Sequence, residues 1–217
     1  MIEGFQVSSW RSVTAIRRPL PSDGWRAFVN VVIGELAFLV FTAVSIAMHP
    51  GFVLNGDEGG LSNYGVHITT AVPYTLALAL LAFYNRRAAL HCTVEDQRTR
   101  RLRSLLTSYC SVVLLVLLST YVYTLNGLLK NLHFGLGTVL IVVVFAGSIW
   151  MYRLWPPTPA VRLFLLMQIA GDVLTLGTVV GAFHLLFLAE MVSNIGFASL
   201  LVRTCRRIAD EDQVVPA

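Results

Sequence analysis

Charge is what this chain has least of. Aspartate, glutamate, lysine and arginine make up 13% of its 217 residues, about half the roughly 25% of an average soluble domain. A soluble protein of this length needs more charge than that to cover its surface, which excludes the plain soluble globular enzyme. Intrinsic disorder is excluded by the opposite count, because 56% of the residues are hydrophobic and such a chain collapses. Lysine is almost missing: Lys130 stands alone against fifteen arginines. Cysteine is scarce too. Cys92, Cys110 and Cys205 are odd in number and widely spaced, so they offer neither a disulfide framework nor a CxxC pair. They read as small apolar fillers in or near a reducing cytoplasmic half. A Ser-His-Asp pattern, a P-loop and a Rossmann glycine run are absent from the sequence. So is a repeat of 20 to 50 residues.

What is present is long apolar stretches. A bilayer core takes about 20 mostly apolar residues as helix, and six stretches qualify: 27–48, 68–84, 105–125, 134–152, 160–182 and 185–202. The second is short and carries Pro73 near its outer end, a break that neighbouring helices compensate. The expected fold is an all-α polytopic membrane protein, a six-helix bundle with both termini in the cytoplasm. Residues 1–26 form an arginine-rich tail, 27–203 the membrane domain and 204–217 a second tail. The segment between Trp10 and Trp25 is open to two readings, a surface helix or a disordered tail.

The arginines test that topology. Arg11, Arg17, Arg18 and Arg26 precede the first span, and Arg86, Arg87, Arg98, Arg100, Arg101 and Arg103 follow the second. Arg153 and Arg162 bracket the turn after the fourth, and Arg203, Arg206 and Arg207 follow the sixth. Six spans put all of these on one face and leave only Lys130 on the other, as the positive-inside rule requires. Trp10, Trp25, Trp150 and Trp155 fall at that same face, while Tyr64, Tyr74, Tyr121 and Tyr123 fall toward the other, as interfacial belts do. The basic clusters therefore read as topology signals and contacts to anionic lipid, not as a nucleic-acid surface. A cleaved signal peptide is the alternative for the first span. It is disfavoured by the long basic tail, the long apolar run and Glu35.

Three carboxylates lie inside spans without a basic partner in any span core: Glu35, Asp172 and Glu190. Burial of a charge in a bilayer is costly, so they face the bundle interior and are candidate proton-titratable groups. Helical spacing pairs Gln168 with Asp172 and Glu190 with Asn194. The other reading is interhelical hydrogen-bonding glue. Histidine gathers toward the outer face: His49, His67, His133 and His184, with Asp57 and Glu58 nearby. Such a ring suggests zinc or a sensor of acidic pH, against ordinary interfacial histidines. Haem is disfavoured because these histidines sit at helix ends. Gly177 and Gly181 form a GxxxG pair that suits internal packing or a homo-oligomer.

Three local motifs carry a resemblance. The first outer loop ends in Leu61-Ser62-Asn63-Tyr64-Gly65, a later span opens with Asn131-Leu132-His133 followed by glycines, and the last span holds Ala189-Glu190. Together with the six-span layout over about residues 27–203, the chain resembles the DRAM/FRAG/Sfk group of membrane proteins, and a bacterial six-helix family of similar layout. The resemblance implies work in membrane lipid organisation, lipid remodelling or trafficking. It implies a polar cavity from Ser62, Asn63, Gly65, His133 and Glu190, to which helical spacing adds Asn194. Asn63 stands where that group usually has an acid. The expected function is a non-enzymatic, lipid-handling membrane protein of the plasma membrane or an internal membrane, with membrane lipid as its partner. The alternatives are a metal-dependent hydrolase or transferase built on the outer histidines, and a proton-coupled transporter.

Overall fold

The computed structural model describes residues 22–54, 60–93, 96–182 and 184–214. The expectations for Trp10, Arg11, Arg17 and Arg18, and for Asp57 and Glu58, lie outside the described residues. Six long helices account for most of the rest: α1 (Asp23–Met48), α4 (Ala71–His91), α5 (Gln97–Thr120), α6 (Gly127–Leu154), α7 (Pro159–Val179) and α8 (Leu186–Val214). Between α1 and α4 the chain makes two single-turn helices, α2 (Gly51–Leu54) and α3 (Asn63–Val66), the latter preceded by a 3-10 turn at Gly60–Ser62. No strand occurs among the described residues.

The helix starts follow from capping chemistry. A helix leaves its first amides without partners, and a short polar side chain satisfies them. Ser22 accepts from the Trp25 amide at 3.2 Å, and Asn126 accepts from the Leu129 amide at 2.9 Å. Asp96 accepts from the amides of Arg98 and Thr99 at the head of α5. Proline opens α7 at Pro159, where its missing N–H costs nothing.

Five of the six long helices are long and apolar enough to cross a membrane: α1, α5, α6, α7 and α8. The exception is α4, the second expected span. Its 21 residues rise about 31 Å, enough to cross a bilayer core. However, Asn85, Arg86 and Arg87 fall in its last two turns and dilute its apolar length. Two expected boundaries also move. The arginine-rich segment 85–104, which could extend the third span as a helix, does so from Gln97, and α4 also continues into it as far as His91. At the other end, α8 runs on through Val214, so the helix continues well past residue 203.

The six helices stand in a ring. Each packs on its neighbour in sequence, and α8 closes the ring against α1. The tightest seams are α1 with α4 and α7 with α8, and the loosest is α6 with α7. Polar and apolar groups are inverted relative to a soluble domain. Asn30, Glu35, Thr42, Asn85, Gln168 and Asp172 are buried, while Leu36, Val40, Leu118, Val142, Leu166 and Val173 are exposed. An apolar exterior on this scale marks a surface meant for something other than water. The integral membrane placement follows from that exterior together with the helix lengths.

Tyrosine corrects one expectation. Tyr64, Tyr74 and Tyr123 are buried, and Tyr121 alone of the four is exposed. The reason is that their hydroxyls find partners inside the bundle, at His49 O, Thr120 and Asn63 respectively. A buried phenol with a bonded hydroxyl contributes its whole ring to packing.

Candidate functional site

The site lies at the arginine-poor end of the bundle, where the chain between α1 and α4 folds over the helix ends. It begins with a tight turn. Gly60 has φ +49°, and a Cβ there would stand 2.3 Å from Glu190 Oε2. Only glycine allows both that backbone conformation and that contact. Seated this way, the turn presents the Leu61 amide to Glu190 Oε2 at 2.7 Å. Glu190 on α8 thus holds the loop by its backbone. Gly65 performs a similar service one turn later: a Cβ would stand 2.5 Å from Thr120 Cγ2 and 2.6 Å from the Tyr74 ring.

Between these glycines sits Ser62. Its Oγ is 2.8 Å from His133 Nε2, and His133 Nδ1 is 2.8 Å from Ser119 Oγ. Ser62, His133 and Ser119 are all buried. The proton positions are assigned from the network. Ser119 Oγ also lies 2.9 Å from the Val116 carbonyl, which can only accept, so the serine's one hydrogen goes there. Nδ1 therefore carries a proton and donates to Ser119. Nε2 is then unprotonated and accepts from Ser62 Oγ. The imidazole is further fixed by Tyr123, stacked at a 4.8 Å ring separation, whose hydroxyl donates to Asn63 Oδ1 at 3.3 Å.

These groups head a cavity of about 130 Å³ that runs down the middle of the ring. Ser62, Tyr74, His133, Glu190 and Asn194 line its polar end, and Phe38, Leu78, Leu81, Val113 and Val144 line its apolar walls. On one side it reaches Gly137, Thr138 and Ile141 of α6 and Thr175, Leu176 and Val179 of α7. That is the loosest seam of the ring. Thr138, Leu176 and Val179 are exposed on the outside as well, so the cavity opens sideways between these two helices. Thr175 is only 6% exposed, and its Oγ1 has no hydrogen-bond partner among the described residues. A buried hydroxyl left unpaired is costly, and this one lines the cavity.

The other expected residues divide cleanly. Asp172 lies in a buried network between α7 and α8. Gln168 Nε2 donates to both of its oxygens, at 2.9 and 2.8 Å, and to Ser193 Oγ at 2.8 Å. Ser193 Oγ donates to Asp172 Oδ1 at 2.6 Å. Glu35 sits in the arginine-rich half, with Asn85 Nδ2 at 3.5 Å from its Oε1. The three acids are therefore dispersed among separate contacts, and only Glu190 lines the cavity. Glu190 and Asn194 share that lining.

The histidines fall into separate groups. His49 and His67 meet edge to face at a 4.6 Å ring separation, with Phe52 stacked on His49 at 4.1 Å. His133 is engaged by two serines, and His184 lies in the turn before α8. Among the described residues no group of three or more histidine, cysteine, aspartate and glutamate side chains is placed to hold a metal ion. Gly181 lies just past the end of α7 at φ +80°, so it serves the turn. The close approach of α7 to α8 is made instead by Gly171 and Gly196, where a Cβ would stand 2.4 Å from the Ser193 amide nitrogen and 2.6 Å from the Gln168 amide nitrogen.

Ser119, Tyr74 and Tyr123 are the site residues that the sequence reading did not select. The one available signal was Ser119-Thr120, a polar pair ending an otherwise apolar run. No family model, curated protein or solved structure matches the chain.

Proposed function

We propose that this protein spans its membrane six times, with both termini in the cytoplasm, and holds a membrane lipid in the cavity at the ring's centre. The observation that carries this reading is the shape and chemistry of that cavity. Ser62, Tyr74, His133, Glu190 and Asn194 share its loop-covered end, its walls are mostly apolar, and it opens sideways between α6 and α7. A ligand entering from the bilayer would lead with or trail an acyl chain, and would need partners for a polar head. Ser62, Tyr74, Glu190 and Asn194 supply donors and acceptors for such a head, and the unpaired Thr175 Oγ1 faces the chain's path. Sites of this kind, mostly apolar with a few placed polar groups, are the usual form of a small-molecule pocket.

Six spans are supported by the ring itself. In it, α4 packs against α1 and α5 along its length, and six crossings keep the arginine clusters on one face. Under this topology the site faces the outer side. That placement, and the apolar wall, match the lipid-linked role that the resemblance to the DRAM/FRAG/Sfk group implies.

The test is lipid retention. Protein extracted gently in detergent is weighed intact by native mass spectrometry, beside Gly137→Trp. Gly137 borders the cavity, and a Cβ there meets nothing within 4 Å, so the indole is introduced from a position with open space around it. The wild type should keep one lipid class enriched over the membrane extract, and the variant should lose it. A wild type that keeps no lipid selectively refutes the reading.

A further inference from the structure

We infer that the polar end of the cavity is an acyl-transfer centre, with Ser62 Oγ as nucleophile and His133 as its general base. The inference rests on reading the cavity as a lipid site and names the substrate class: an ester whose acyl chain lies along the apolar wall. A hydroxyl becomes a useful nucleophile when a base accepts its proton within hydrogen-bond reach and a third group fixes that base. All three parts are present. Ser62 Oγ is 2.8 Å from Nε2, and Nδ1 is 2.8 Å from Ser119 Oγ. The bond from Ser119 to the Val116 carbonyl selects the tautomer in which Nε2 is the free acceptor. A histidine serving only as a tie between helices would do as well in either tautomer.

The backbone around Ser62 adds a second, independent observation. The order is Gly60-Leu61-Ser62-Asn63-Tyr64-Gly65. Gly60 is held at φ +49° against Glu190, and Gly65 is pressed against Thr120 and Tyr74. Together the two glycines let the turn that carries Ser62, itself at ordinary helical dihedrals, seat closely against Glu190, Thr120 and Tyr74. Here the turn leads from a 3-10 segment into α3, and Ser62 lines the cavity. The Tyr74 hydroxyl also lines this end of the cavity, bonded to Thr120 Oγ1 at 3.1 Å.

The step balances within these groups. Ser62 Oγ bonds to the ester carbonyl carbon while its proton passes to His133 Nε2. The ester C–O bond breaks, and the alcohol leaves with that proton. Water then attacks the acyl-serine and gives its own proton to Nε2. The fatty acid is released, and the proton returns to Ser62 Oγ.

The experiment treats the full-length, detergent-solubilised protein with an alkyl fluorophosphonate, then locates the adduct by denaturing and peptide mass spectrometry. One adduct per chain is expected on Ser62, with fluoride lost. Ser62→Ala should abolish it, and His133→Gln should slow it by about 100-fold or more, the usual contribution of a general base. Ser119→Ala should slow it to a lesser degree, and Ser119→Thr should restore it. A wild-type protein that stays unlabelled, or is labelled on another residue, overturns the inference, and this result does not depend on any variant folding. Native mass spectrometry of the untreated sample keeps the two readings apart. Retained lipid without a Ser62 adduct removes the acyl-transfer centre and leaves the lipid cavity standing.

Discussion

Replacing Gly171 with alanine should separate α7 from α8. The Cβ would lie 2.4 Å from the Ser193 amide nitrogen, 2.7 Å from the Ala189 carbonyl oxygen and 2.7 Å from Ser193 Cα. These are backbone atoms and cannot rotate away, so the helices must move apart by about 1 Å to reach ordinary contact. The same displacement acts on the buried network beside it. The Ser193–Asp172 bond at 2.6 Å and the Gln168–Ser193 bond at 2.8 Å would stretch to about 3.6 and 3.8 Å, beyond useful hydrogen-bond length. Two interhelical bonds in a membrane protein are worth about 0.6 kcal/mol each, and overpacking costs about 1–3 kcal/mol. Alanine's better helix propensity returns about 0.8–1 kcal/mol, which leaves a net loss of about 1–3 kcal/mol. Gly137→Ala is the matched control, because its Cβ meets nothing within 4 Å. It should be neutral or more stable by up to about 1 kcal/mol from propensity alone. Reversible SDS or thermal denaturation in one detergent measures both. Adding Asp172→Asn to Gly171→Ala should then cost less than it does alone, because the network is already broken. A Gly171→Ala protein as stable as the wild type, or two glycine variants that shift together, would refute this account of the α7–α8 seam.

Asp96 gives a pH-dependent prediction at the head of α5. Burial works to raise its carboxyl, but hydrogen bonds from the Thr99 hydroxyl and from the Thr99 and Arg98 amides outweigh it and hold the group below its ordinary value. The capping advantage is therefore full above the unfolded value of about 3.9 and is lost as pH falls through the lower folded value. Asp96→Ala should cost about 1 kcal/mol at neutral pH, with the gap closing in acid; denaturation midpoints from pH 7 downward check this, and a constant gap counts against it. For topology, tags at the two termini should be protected on the same side of sealed vesicles, with a cysteine at exposed Leu128 labelled from the opposite side. Termini on opposite sides would mean that α4 does not cross.

The helices were legible because the signal for them is long. Each apolar stretch fixed the core of a helix, and the errors lie at the ends, where charged residues continue a helix that hydropathy no longer reports. Arg86 and Arg87 belong to α4, and Arg203, Arg206 and Arg207 belong to α8. The same effect drops α4 from the helices that pass a hydropathy test, although it closes the ring between α1 and α5. The pairing of Gln168 with Asp172 was legible as well, since i,i+4 spacing within one helix needs no tertiary knowledge. Its third member, Ser193, lies on another helix and was not.

The site shows where that limit falls. His133 and Glu190 were selected as polar residues out of place in an apolar chain, and both line the cavity. Ser62 was selected with them through the resemblance, but the pairings themselves could not be read, because the partners are ordinary. Glu190 bonds a backbone amide, which every residue has. His133 bonds Ser62 and Ser119, and a serine in an apolar helix usually bonds its own preceding turn, as Ser45 and Ser111 do here. Ser119 makes that local bond too, which is why it looks unremarkable in sequence. It is also why the bond matters, since a hydroxyl already donating to its own helix can only accept from the imidazole. The local habit of serine thus sets the tautomer of His133 and leaves Nε2 open to Ser62. A ring of outer histidines had suggested metal chemistry, and the fold pairs His49 with His67 while His133 is engaged by two serines. The chemistry that remains at His133 follows from the two hydroxyls on its two nitrogens.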